Sequence, residues 1–367
     1  SPAAFGFPGS PFTFNLFNAS VNASYSFDFF GRDRRELEAL QSQVDFSSYQ
    51  LQGAQLSLTA NVVTASLEVA NRKAQIAATN EIIALENELL KSVQTQLNAG
   101  TATMPDLVAQ RSEIALTRAT LPAFEKALMR AQHQLVALVG ELPGNSTVPD
   151  INLSDFMLPQ DLPLSLPSEL VHQRPDILAA EALLHRASAK VGVATANIYP
   201  QITLSGSIGP ISPESNNLFK SDSIIWSLGG RLVQPIFHGG ALRAQKRGAV
   251  AAFDQASAEY RQTVLFAFEN VADVLKELEI DARAVQTQLE SVALARESLR
   301  LTQQQFEFGA VNYLPLLNAQ RALQQSLLAL AQARATRFAD TAALFQALGG
   351  GWWNREGTTR EAPSNSR

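Results

Sequence analysis

The stretch Phe306–Arg321, FEFGAVNYLPLLNAQR, places a glycine and a proline inside a long helical pattern, and Leu97–Arg111, LNAGTATMPDLVAQR, does the same. Gly100 and Gly309 lie 209 residues apart, so the two stretches occupy equivalent positions of an internal repeat. A glycine in the left-handed conformation ends a helix, and a proline soon afterwards suits the first turn of the next one. We therefore expect tip turns over 99–105 and 308–314, each joining a long helix to a return helix.

The repeat organises the rest of the chain, because Gly140 and Gly349 are also 209 residues apart. The first repeat, 1–140, is predicted to hold a strand over 11–30, a long helix over 32–98 and a return helix over 106–140. The second, 172–351, is predicted to hold a helix over 174–197, strands over 201–209 and 223–237, a long helix over 240–307 and a return helix over 315–349. An equatorial linker is expected over 141–171 and a disordered tail over 352–367. The counterpart of the strand in IYPQITLSGSIG would precede Ser1, so we expect the natural protein to extend further N-terminally.

The two long helices carry heptad patterns and no proline between Pro11 and Pro105 or between Pro235 and Pro315. At 1.5 Å per residue they would reach about 100 Å. The apolar residues of the second helix follow a strict four-three spacing, which favours a left-handed supercoil: Val264, Phe268, Val271, Leu275, Leu278, Ala282, Val285, Leu289 and Val292. In the first helix they recur every seven residues: Val62, Val69, Ile76, Ile83, Leu90 and Leu97. The residues beside the seam are mostly small or uncharged: Ala, Gln, Ser, Thr and Asn. This favours several helices packed side by side in a wall, although a soluble coiled-coil scaffold is an alternative that the pattern also fits. Pro122 predicts a kink in the first return helix.

Three segments alternate apolar with small or polar residues, as half-buried strands do. Ala19, Val21, Ala23, Tyr25, Phe27 and Phe29 form the apolar face of the first segment. A transmembrane barrel wall fits this pattern, and so does a soluble sheet packed on helices. Three strands cannot span a bilayer alone, because every open edge would expose backbone groups to lipid. A barrel would therefore have to be closed by further copies of the chain.

Composition excludes several classes of function. The chain has no cysteine, 17% charged residues and a net charge of −5, so disulfides, thiolate metal sites and a nucleic-acid footprint are not expected. No apolar run of about 20 residues is present, which rules out a transmembrane helix. The histidines lack metal-ligand spacing, and no GxSxG elbow, P-loop or dinucleotide fingerprint occurs. We predict neither an enzyme nor a catalytic residue, cofactor or metal.

Four motifs in one order resemble a known family. Leu166–Gly209, LPSELVHQRPDILAAEALLHRASAKVGVATANIYPQITLSGSIG, is similar to the signature of TolC-type outer membrane factors, particularly the lipoprotein branch of the NodT or OprM type. WSLGGRLVQPIFHGGALRA at 226–244, the GAVNYLPLLNAQR turn and the ALGGGW end match the same family. The cysteine that carries the lipid in this branch would precede Ser1.

The resemblance implies a mainly α fold with β: long antiparallel α-helical hairpins forming an α-barrel, plus transmembrane β-barrel strands, with the barrel closed by a homotrimer. It implies an outer membrane efflux channel that passively conducts drugs or other small toxic solutes. Its partners would be a periplasmic adaptor (membrane fusion) protein and an inner-membrane efflux transporter of the RND type, with outer membrane lipid around it and no nucleic acid. A type I protein-secretion duct is the nearest alternative.

The resemblance also assigns residues at the two turns. Leu314 matches the family's inward leucine constriction, and Asn318 occupies a position where relatives often carry an aspartate facing the pore. Tyr313, Asp106 and Arg321 are expected to hydrogen-bond the closed state of this periplasmic gate. Adaptor contacts are expected at the tips, which comprise Gly100, Thr101, Ala102, Gly309, Ala310 and Val311.

Overall fold

Helices dominate the structure, a computed structural model that describes residues 15–142, 149–159 and 173–350. The helices are α1 (Arg32–Asn98), α2 (Met104–Val139), α3 (Pro175–Ala196), α4 (Ala241–Glu307) and α5 (Tyr313–Ala347). The strands are β1 (Phe17–Asn18), β2 (Val21–Phe27), β3 (Gln201–Ser212) and β4 (Ile224–Val233). The described residues fall into two units, one holding the four strands with the adjoining helix ends, the other holding the remaining helical residues.

The sheet is antiparallel throughout, with β3 in the middle. β1 and β2 follow one another along one edge of β3, and β4 pairs with the other edge. In this register Tyr25, Leu204 and Gly230 lie side by side, as do Ser24, Ser205 and Gly229. Because side chains alternate along a strand, one face collects most of the apolar residues and the other most of the small polar ones. Ile225 and Val233 of β4 are exceptions, since the register places them on the polar face.

The strand expected over 11–30 is divided in the described part of the chain, where β1 and β2 are separated by Ala19 and Ser20. The register is the same on both sides of this interruption. Opposite it lie Gly209 and Pro210. Proline has no N–H to give to the ladder, and a Cβ on Gly209 would lie 2.2 Å from the Ala19 carbonyl oxygen. The local chemistry of β3 therefore interrupts the pairing without shifting it.

The helical unit buries its apolar side chains between α1, α2, α4 and α5. Its largest cluster lies towards the turns and includes Ile82, Leu89, Val93, Leu107, Val292, Leu299, Phe306, Tyr313, Leu316, Leu323 and Leu330. From Val285 to Phe306 the buried residues of α4 recur every seven positions. Of the predicted seam, Val271, Val285 and Val292 are buried, whereas Leu289 is 39% exposed.

In α1 the predicted seam residue Val69 is fully buried, but beyond it the seam is displaced by one residue. Ile76, Ile83 and Leu90 are only half-buried, whereas a four-three pattern of residues beside them is buried. That pattern consists of Gln75, Thr79, Ile82, Glu86, Leu89 and Val93. Three of the six are polar, so a count of apolar residues alone selects the wrong face.

The return helices begin earlier than expected, at Met104 and Tyr313 instead of 106 and 315. Pro105 and Pro315 thus lie at the second and third helical positions. All first-turn N–H groups lack an intrahelical partner, so a proline is tolerated beyond the first position as well. Pro122 lies within α2, which is assigned as one helix, and the kink stays a prediction.

Two other expectations fall largely on residues outside those described. Only 141–142 and 149–159 of the linker are described, and they include a 3₁₀ turn at Leu153–Asp155. The tail over 352–367 lies outside the described residues. Among the described helices, none has the combination of length and apolarity needed to cross a bilayer.

Candidate functional site at the helical turns

In the first turn a glycine in the left-handed conformation ends α1, and side chains of the turn cap the start of α2. Gly100 has a φ of 79°, and the N–H groups of Gly100 and Thr101 donate to the carbonyls of Leu97 and Gln96. The Asp106 carboxylate accepts hydrogen bonds from the backbone N–H and the hydroxyl of Thr103, at 2.9 and 2.6 Å. Asp106 therefore stabilises the start of α2 within its own turn.

The second turn ends its first helix in the same way, but the helix that follows starts differently. Gly309 has a φ of 69°, and the N–H groups of Gly309 and Ala310 donate to Phe306 and Gln305. Asn312, which precedes α5, makes no side-chain capping bond. The start of α5 is held instead by contacts to α2.

A polar cluster joins α5 to α2. The Tyr313 hydroxyl donates to Gln110 Oε1 at 2.6 Å. Arg321 donates from Nε and Nη2 to the two oxygens of Glu113 at 2.8 and 2.7 Å, a bidentate pair. The side chain of Glu113 is only 7% exposed, whereas that of Arg321 is 49% exposed. Burial, followed by the nearby Glu113 charge, raises the pKa of Tyr313, so its hydroxyl stays protonated and donates.

A second buried carboxyl ties α1 to the same cluster. Glu86 accepts a 2.8 Å hydrogen bond from the Thr117 hydroxyl, and its backbone carbonyl accepts one of 2.9 Å from Gln110. Its other carboxyl oxygen is buried without a partner among the described residues. Burial raises the pKa of Glu86; the Thr117 bond opposes this and the Glu113 charge adds to it. We call Glu86, Gln110, Glu113, Thr117, Tyr313 and Arg321 the latch cluster.

A different acidic cluster lies towards the other end of α5. Asp340 hydrogen-bonds Asp281 of α4, with Glu277 one helical turn before Asp281. Burial, the Asp281 hydrogen bond and the two neighbouring negative charges raise the pKa of Asp340 to about 7. Asp281 also has one buried carboxylate oxygen with no partner among the described residues. We call these three residues the carboxyl cluster.

The residues assigned from sequence separate into distinct groups. Tyr313 and Arg321 meet α2, but through Gln110 and Glu113 and not through Asp106. Leu314 is 60% exposed in the single chain and Asn318, one helical turn further on, is also exposed.

The tip residues that are expected to contact the adaptor differ in their exposure to solvent. Gly100, Thr101, Gly309 and Ala310 are exposed and Val311 is half-buried. Ala102 is 8% exposed, so its side chain is withdrawn from the surface.

Sequence reasoning missed Glu86, Gln110, Glu113 and Thr117. A signal was present: Asp106, Gln110, Glu113 and Thr117 follow the four-three-four spacing of a helix face that packs on neighbours. Polar residues repeated on a packed face indicate hydrogen bonds across helices. No group of three or more His, Cys, Asp or Glu suited to a metal ion occurs within the described ranges.

Comparison with known proteins identifies a matching family and several similar proteins. The family described as outer membrane efflux protein matches residues 10–141 and 166–350. The pyoverdine export outer membrane protein OpmQ of Pseudomonas aeruginosa is 30% identical over 346 residues, covering 94% of this chain and 72% of its own length. The outer membrane protein OprJ of the same species is 32% identical, covering 89% of this chain and 68% of its own. A solved structure of CusC superposes with a TM-score of 0.85 at 28% identity, covering 94% of this chain and 81% of that one.

Proposed function

The chain belongs to the outer membrane efflux protein family, and from this premise we propose that it is the passive exit duct through which a tripartite pump discharges small toxic solutes. It is an outer membrane efflux channel, and its relatives are outer membrane proteins of Gram-negative bacteria with a helical barrel in the periplasm. TolC-like channels are trimeric and work with an adaptor and an inner-membrane transporter. Members of the family are channels rather than enzymes.

One observation carries the proposal: the sheet leaves a continuous apolar face exposed. Trp226, Leu228 and Leu232 of β4 are 72%, 68% and 66% exposed, and Tyr25 on β2 is 65% exposed. In water such a face would favour aggregation, whereas in a bilayer it faces hydrocarbon. The opposite face is lined by serine, threonine and asparagine and suits a water-filled lumen. A homotrimer would close the open edges of this sheet.

The latch cluster supports a gate at the periplasmic turns. Through Arg321 and Tyr313 it holds the start of α5 against α2, while Leu314 and Asn318 remain exposed in the single chain. In a trimer, three copies of Leu314 would narrow the pore. Asn318 would line it with neutral amides, which attract cations less than a ring of carboxylates would. Opening would require α5 to leave α2 and break the Arg321 pair.

The exposed tips support contact with a periplasmic adaptor. Gly100, Thr101, Gly309 and Ala310 carry little side chain, so a partner can approach the backbone closely. The neighbouring Phe308 is 87% exposed and offers an apolar anchor for such a partner. An RND-type transporter would then supply the solute.

The identity of the solute would belong to the transporter. The names of similar proteins cover pyoverdine export, toluene efflux and cation efflux. One channel architecture therefore serves chemically different cargo, and we propose for this chain only the class of small toxic solutes.

Planar-bilayer conductance of the full-length protein tests the proposal. Wild-type trimers should insert and conduct little, and Leu314→Ser should raise the single-channel conductance because three constricting side chains become small and polar. Leu294→Ser is the matched control, since Leu294 on α4 is 64% exposed and lies away from the turns. An unchanged conductance for Leu314→Ser would remove Leu314 from the gate, and failure of wild-type trimers to form channels would contradict the duct itself.

A further inference from the structure

The polar face of the sheet is uncharged along most of its length. Ser207 and Ser227 hydrogen-bond through their hydroxyls at 2.8 Å, and Ser26 and Thr203 do so at 3.4 Å. These cross-strand bonds identify the residues that share this face. With Asn22, Ser24 and Ser205, they form a surface of small neutral groups.

Arg231 is the exception. It pairs with Thr203, and Thr203 pairs with Ser26, so the three residues form one row across the sheet. Arg231 is the only charged residue within the four described strands. It is exposed and makes no ion pair or hydrogen bond with any described residue.

The acidic group nearest in sequence to this end of β2 is already engaged. Asp28 accepts hydrogen bonds from the backbone N–H groups of Asp33 and Arg34, at 3.1 and 3.0 Å, and from the Arg34 side chain at 3.4 Å. Asp28 therefore caps α1 and pairs with Arg34. The charge of Arg231 is left without a counterion in the described part of the chain.

An arginine on the opposite, apolar face of this sheet would be costly in lipid. On the polar face it is hydrated and its field acts on whatever passes through the lumen. Rings of arginine or lysine are how pores favour anions. In a symmetric trimer, one Arg231 per chain gives three positive charges at a single level.

We propose that Arg231 forms a cationic ring inside the lumen, close to the end of β4 that leads into α4, and gives the duct a preference for anionic solutes. The inference rests on the proposed function, since it needs a closed channel. Positive potential at the ring concentrates anions and repels cations, and dissolved salt screens it within about 10 Å at 0.1 M.

The test is the reversal potential of full-length channels in a planar bilayer under a potassium chloride gradient. Wild type should favour chloride at about 0.1 M salt, and Arg231→Gln should lower the ratio of chloride to potassium permeability by roughly three- to tenfold. Arg231→Glu should reverse the preference. Lys220→Gln, which removes an exposed positive charge from the loop before β4, is the control and should leave the ratio unchanged.

Two failures are distinguishable. If all variants form channels with the wild-type ratio, a carboxylate elsewhere in the closed barrel neutralises Arg231 and the inference is wrong, while the duct stands. If wild type forms no channel, the proposed function fails first.

Discussion

Carboxyl groups have opposite kinds of partner at the two ends of α5. Near its start, Glu113 receives both donors of Arg321, whereas near its end Asp340 meets Asp281 and Glu277. A carboxylate that accepts both donors of a guanidinium is held by a bidentate pair of opposite charges. Two carboxyls in contact are stable together only when one of them holds a proton. The same helix is thus held by a pair of opposite charges at one end and by a pH-dependent hydrogen bond between two carboxyl groups at the other.

Of the variants that test this difference between the two ends of α5, removal of Arg321 is expected to have the largest effect. Arg321→Gln leaves Glu113 buried and without its cation, an uncompensated charge that costs about 1–3 kcal/mol. Glu113→Gln leaves Arg321, which is half-exposed and can be hydrated. We expect both variants to raise the single-channel conductance, Arg321→Gln by more.

Conductance at pH 7 measures this asymmetry. The matched control is Arg300→Gln, which removes an exposed bidentate pair with Glu297 on α4. Equal conductance changes in Arg321→Gln and Glu113→Gln would mean that burial of Glu113 does not matter to the closed state.

The next effect concerns pH and the carboxyl cluster. The pKa of Asp340 is raised from 3.8 to about 7 in the fold, so the native state holds its proton more tightly than the unfolded chain. Stability from this group is therefore complete below about pH 4, falls as the pH rises towards 7, and is constant above. Asp340→Asn should remove that slope and raise the melting temperature at pH 8.

Thermal denaturation of the detergent-solubilised trimer between pH 4 and pH 8 provides the measurement. Asp273→Asn, at an exposed position of α4, should leave the slope intact. A wild-type slope that survives in Asp340→Asn would show that the titrating group lies elsewhere.

The smallest effect is expected at Glu86, whose partner is neither a cation nor a carboxyl but a hydroxyl. Glu86→Gln keeps the shape and an oxygen that can accept the Thr117 bond, and it removes a charge whose raised pKa makes it unfavourable near pH 7. We expect the melting temperature at pH 8 to rise by about 2 °C or less. Glu88→Gln, at an exposed position of the same helix, is the control. A fall in melting temperature would show that the ionised form of Glu86 stabilises the cluster.

Much of this architecture can be read from the sequence, because the decisive features are local. The absence of proline and the seven-residue spacing predict the long helices, and the paired glycines and prolines predict the turns. The alternating pattern likewise identifies the two faces of the sheet.

The latch could not be predicted, because its contacts depend on the axial stagger between helices. Asp106 was expected, with Tyr313 and Arg321, to hydrogen-bond the closed state, yet its carboxylate bonds Thr103 in its own turn. Packing of α5 on α2 instead brings Gln110 and Glu113 opposite them. Beyond Val69 the seam of α1 was misplaced for a related reason, since Glu86 is buried with hydrogen bonds that apolar periodicity does not detect.

The interruption between β1 and β2 has a mechanical consequence. Opposite this interruption the Ala19 N–H still donates to the Pro210 carbonyl at 3.2 Å, but Pro210 has no N–H to donate in return, and the register is preserved. The missing donor weakens the pairing at this level, whereas the preserved register fixes which residues face each other on both sides of it. Because no residue changes sides, the apolar face and the polar face of the sheet each continue across the interruption.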